Sequence, residues 1–101
     1  MPFYALIGHD APGSLELRKR HRDAHIANLR ALDEAGRVRH AGPLLDDSGA
    51  PCGSVVIFEA ESLEAAQALA ADDAYVTEGI FERYEVRETC VVFPESPSPS
   101  S

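Results

Sequence analysis

The chain has 101 residues, 45% hydrophobic and 26% charged, which suits one globular domain with a single core. Its formal net charge of −8 opposes phosphate backbones and anionic lipid, so neither nucleic-acid nor membrane partners are expected. Protonating all 4 histidines would not reverse that sign.

The opening MPFYALIGHD has no basic leader, and its apolar run is too short for a signal peptide or a membrane span. A cytoplasmic location is the expectation. Cys52 and Cys90 form no CxxC pair and fit reduced thiols there, Cys52 in a loop and Cys90 as a core hydrophobe. Phe3 to His9 reads as a strand, stopped by the turn signal DAPG. Ser14 is placed to cap a helix running to about Ala35, with Glu16 in its first turn and Gly36 just past its end. RVRHAGPLL is a second strand, broken at Gly42-Pro43, and DDSGAPCG is a hairpin loop. Ser54 to Glu59 is a third strand, apolar on both faces. Ser62 caps a second helix, LEAAQALAA, built of good helix formers. DDAYVTEG connects with room for one further turn, and Ile80 to Phe93 forms a last, long strand. Residues 94 to 101, PESPSPSS, have the composition of a disordered tail, which leaves 1 to 93 as the domain.

The order β-α-β-β-α-β is the ferredoxin-like split βαβ arrangement, an α+β fold with strands one and three central and both helices on one face. In the first strand Phe3, Ala5 and Ile7 point one way and Tyr4 and Leu6 the other; in the third, Val55 and Ile57 take one side and Val56 and Phe58 the opposite side. Two helices cover only one side. A second sheet from a like subunit is the simplest cover for the other, so a homodimer is expected, with a higher assembly of dimers left open.

At about 100° per residue, Leu17, Ala24, Asn28, Leu29, Ala31, Leu32 and Ala35 form one broad stripe of the first helix. His25 falls inside it, His21 one turn earlier and nearer its centre, and Arg18 and Arg22 on its edge. Two accounts of His25 stand side by side. It is a half-buried core residue bonded to a backbone carbonyl, or, with a carboxylate partner, a general base in a pocket. His21 and His25 have the i, i+4 spacing of metal ligands but lack the HExxH glutamate and a third ligand, so no metal is expected. His9 belongs to a solvated turn beside Asp10. His40 shares a face with Val38 and Leu44, as a core-edge residue or a pocket wall. Arg37 and Arg39 take the opposite face as solvated or interface charge. GxGxxG, P-loop and GxSxG motifs are absent, and no cofactor is expected. Ser54, after Gly53, has nothing to make it a nucleophile.

From residue 3 to 93 the chain resembles the YciI-like, or YCII-related, proteins. The matching stretches are PGSLELR (12 to 18), RDAHIANL, AGPLLDD-G (41 to 49), GSVVIFEA-SLEAA (53 to 66) and ADDAYV-EGIFERYEVR (71 to 87). The resemblance implies a dimeric α+β barrel and an active site built on a His–Asp pair. On this chain the pair is His25 and Asp73, with Arg22 as the arginine three positions before the histidine. Ala74 stands where the family commonly has proline, and whether Asp72 or Asp73 is the paired carboxylate stays open. Arg22, His40 and Ser54 are assigned to ligand binding. The expected function is proton transfer on a small organic molecule, as an isomerase or a lyase of the dehydrochlorinating kind. The alternatives are a non-catalytic metabolite-binding or accessory module, and a structural dimer with a vestigial cleft.

Overall fold

The computed structural model describes residues 1–94; the tail assignment otherwise lies outside the described residues. Elements follow in the order β1 (Phe3–Asp10), α1 (Leu15–Glu34), β2 (Val38–Leu45), β3 (Pro51–Glu59), α2 (Leu63–Ala71), α3 (Ala74–Thr77) and β4 (Phe81–Thr89). The strands form one antiparallel sheet ordered β2-β3-β1-β4, the ferredoxin-like arrangement with β1 and β3 central.

Period-two alternation decides the layers. Tyr4, Leu6, Val56 and Phe58 are buried beneath the helices with Ala60, Ala66 and Ala70, and Leu29 packs against them from α1. Complete burial of a side chain such as Phe58 contributes roughly 1.5–3 kcal/mol. Ala66 and Ala70, one turn apart, let α2 approach the sheet closely. The second cluster, Tyr75, Ile80 and Phe81, fills the end of the layer below the start of α1, with Leu17 packed against it. Phe3, Ala5, Ile7, Val55 and Ile57 lie on the opposite face, which no helix covers, and are only partly buried.

Two glycines allow close approach. A Cβ on Gly8 would lie 2.5 Å from the Phe81 ring, and one on Gly53 would collide with the Gly8 carbonyl.

Several local expectations are corrected. Gly42-Pro43 does not break β2, because β2 is an edge strand and tolerates a residue without an N–H. β4 ends at Thr89, short of the expected Phe93, and Val92 and Phe93 are exposed. Cys90 and Cys52 are both free and exposed, so Cys90 is not a core residue and Cys52 lies in β3. Ser14 occupies the N-cap position of α1 but makes no side-chain capping bond. The stripe of α1 is turned from its expected position: Arg18 and His25 are its buried residues, whereas Ala24, Asn28 and Ala31 are exposed.

Candidate functional site

Arg18 and His25 are seven residues apart on α1, two turns of helix, so both project from the same face toward the sheet. A polar pair on a buried face must find partners there. His25 Nδ1 lies 2.9 and 2.8 Å from the two carboxylate oxygens of Asp73, 48 residues along the chain. A carboxylate accepts, so Nδ1 carries the hydrogen, and Nε2 is the ring nitrogen without a partner among the described residues. Asp73 is also the N-cap of α3, and its Oδ2 accepts from the Tyr75 amide at 2.9 Å. Capping and pairing are met by one side chain. Asp72, the C-cap of α2, is exposed and takes no part.

Tyr75 supports the pair from beside it. Its ring stacks on the imidazole at 3.9 Å and 10°, fixing the plane of His25. The Tyr75 hydroxyl donates to the Arg18 carbonyl at 3.2 Å, and the Arg18 guanidinium lies 4.6 Å from the ring centroid. Burial pushes the Tyr75 phenol up, against the pull of the Arg18 and Arg22 charges, which keeps it a neutral donor.

Arg18 is itself held at several atoms. Its Nε donates to Asp10 Oδ2 at 2.8 Å, and its Nη2 to the Gly53 carbonyl at 2.6 Å and the Ser54 hydroxyl at 2.7 Å. The Asp10 and Arg18 side chains are only 6% and 11% exposed, so this is a buried charge pair.

Beside these groups a cavity of about 340 Å³ opens between α1 and the β2–β3 edge. Arg18, Lys19, Arg22, His25, Ser54 and Tyr75 supply its polar wall; Leu15, Ile26, Pro43 and Val56 supply apolar surface. Among the described residues the one sealed side-chain polar atom without a partner is Asp10 Oδ1. His25 Nε2, which has no partner among the described residues and is not one of the sealed atoms, therefore reaches open space, and the cavity is the space it borders.

The structure brings His25, Asp73 and Ser54 into one cluster and sets the exposed Arg22 at the mouth. His40 is elsewhere. A β-bulge between Val38 and His40 breaks their shared face: Val38 pairs with Phe58 on the helix side, and His40 with Ile57 on the uncovered side. Reading the stripe by apolar residues missed Arg18, although its two-turn spacing from His25 was in the sequence. Tyr75 carried no such signal. His21 Nε2 stands 3.8 Å from Glu78, and no group of three or more His, Cys, Asp or Glu among the described residues is placed to hold a metal ion.

Fold and site together define a ferredoxin-like α+β protein with a buried His–Asp pair at a cavity. Residues 2–89 match the YCII-related domain, and the chain belongs to that family. It is 44% identical over 96 residues to protein YciI of Escherichia coli, spanning 89% of this chain and 98% of that one. An uncharacterized protein of Haemophilus influenzae is 36% identical over 85 residues, spanning 78% of this chain and 87% of its own. Among solved structures, 5-chloro-2-hydroxyhydroquinone dehydrochlorinase of Burkholderia phenoliruptrix, in complex with 2,5-dihydroxybenzoquinone, is similar with a TM-score of 0.78. It is 28% identical, and the match covers 87% of this chain and 93% of the neighbour.

Proposed function

We propose that the cavity binds a small organic molecule and that His25 moves a proton on it. The observation that carries this reading is the 2.8 Å contact of His25 Nδ1 with a buried Asp73 carboxylate, on a ring whose other nitrogen borders the cavity. Asp73 holds the ring in one tautomer and balances its positive charge once Nε2 has taken a proton. In an isomerisation the proton is returned at a second atom. In an elimination the electron pair it leaves behind expels the leaving group. The dehydrochlorinase likeness favours elimination as the first reaction to try.

The dimer expected from the sequence belongs to the same proposal. The uncovered face of the sheet offers Phe3, Ala5, Ile7, Val55 and Ile57 to a second copy, giving the dimeric α+β barrel.

Release of chloride from 5-chloro-2-hydroxyhydroquinone tests the chemistry directly. Wild type is expected to turn it over, and His25→Ala to lose about 10²–10⁴-fold while keeping its circular dichroism. Unchanged turnover in folded His25→Ala would remove His25 from the chemistry. Binding without turnover by the wild-type chain would favour the metabolite-binding module instead.

A further inference from the structure

We infer that Arg18 is the ligand-binding cation of the cavity, and that the ligand carries an ionised acidic oxygen, a phenolate, enolate or carboxylate, directed at its Nη1. The inference rests on the reading above in taking the same cavity as the ligand site.

Two independent observations lead to it. The first is the state of the guanidinium. Nε and Nη2 are committed to Asp10, Gly53 and Ser54, whereas Nη1 has no hydrogen-bond partner among the described residues. Since it is not among the sealed unpartnered atoms, it opens on the space that Arg18 lines. A guanidinium clamped at two of its nitrogens offers the remaining N–H groups in a fixed direction, with little side-chain freedom left to lose on binding. The second is charge segregation. The chain holds 17 acidic and 9 basic residues, yet among the described residues Arg18, Lys19 and Arg22 line the cavity and no carboxylate does. Asp73 lies behind His25, and Asp10 behind Arg18. Such a lining, in a chain of net −8, selects an anion.

This assigns different work to three side chains. Arg22, exposed at the mouth, attracts the anion without fixing it. Ser54 is a positioning residue, since its hydroxyl accepts from Arg18 Nη2. Arg18 fixes the acidic oxygen, which leaves the atom to be deprotonated facing His25.

Equilibrium dialysis of the full chain with 4-nitrophenolate, 4-nitrobenzoate and the neutral 4-nitroanisole tests the assignment. Wild type is expected to prefer one of the anions to the anisole by about tenfold or more, and the favoured anion tells phenolate from carboxylate chemistry. Bound 4-nitrophenol should ionise at lower pH than free, visible in its colour. Arg18→Met should lose about tenfold in anion affinity and abolish that shift, Arg18→Lys should retain part of both, and Ser54→Ala should move the shift toward the free value. Should Arg18→Met alone fail to fold, the double variant Arg18→Met/Asp10→Asn removes both buried charges. Equal binding of anions and anisole by wild type, or anion binding unchanged in either folded Met variant, overturns the inference. The dialysis and the colour shift read binding without turnover, so their failure is distinct from failure of the proton-transfer reading.

Discussion

One carboxylate at position 73 serves two donors, the imidazole of His25 and the amide of Tyr75. The two duties respond differently to substitution. Asparagine caps a helix about as well as aspartate, so Asp73→Asn should change stability by well under about 1 kcal/mol through the cap. Its neutral amide cannot balance an imidazolium, so turnover should fall by orders of magnitude. Asp73→Ala loses the cap and leaves a buried N–H of His25 unpaired, a cost of about 1–3 kcal/mol in urea melts. Equal activity of wild type and Asp73→Asn would show that the carboxylate only holds α3. At this scale the sequence was partly legible. His25 and Asp73 could be named from family resemblance, because both lie in recognisable stretches. Arg18 could not, because an arginine at a helix edge and one clamped inside a fold look the same until Asp10 and Ser54 are placed beside it.

At the scale of elements, amphipathic alternation and helix punctuation gave the strand and helix order directly; Ser62 caps α2 as its position suggested. What stayed hidden was register. The extra residue in β2 before His40 turns every later side chain of that strand, and no composition signal marks a bulge. The loop joining β2 to β3 yields a test with a definite sign. The Ser48 hydroxyl, with the Ala50 and Ser48 amides, holds the Asp46 carboxylate below its usual range. A depressed folded-state value means the contribution is complete above the unfolded value and is lost as pH falls through the folded one. Asp46→Ala should therefore be less stable than wild type near neutrality, with the gap closing in acid. A gap independent of pH would assign the loop's stability to backbone turns instead.

For the whole molecule, the faces of the sheet are unequal. The helix side is covered by α1 and α2 apart from the cavity, and the other leaves partly exposed Phe3 and Ile57 among Arg39, Arg87 and Glu85. Light scattering after size exclusion should give twice the chain mass, and Ile57→Lys should shift the chain toward monomer. A wild-type monomer would contradict the proposed subunit pairing. The sequence already implied this asymmetry through strands apolar on both sides. It gave no measure of the cavity, which depends on how far α1 stands from β2 and β3.

Two contacts at the heart of the cavity join remote parts of the polypeptide: 48 residues separate His25 from Asp73, and 36 separate Arg18 from Ser54. No hairpin or lone helix can assemble these groups. A collapsed intermediate with native-like helices but loose packing would have all the functional side chains and none of their alignment. Under the proton-transfer proposal, loss of turnover and cooperative melting should therefore trace one curve.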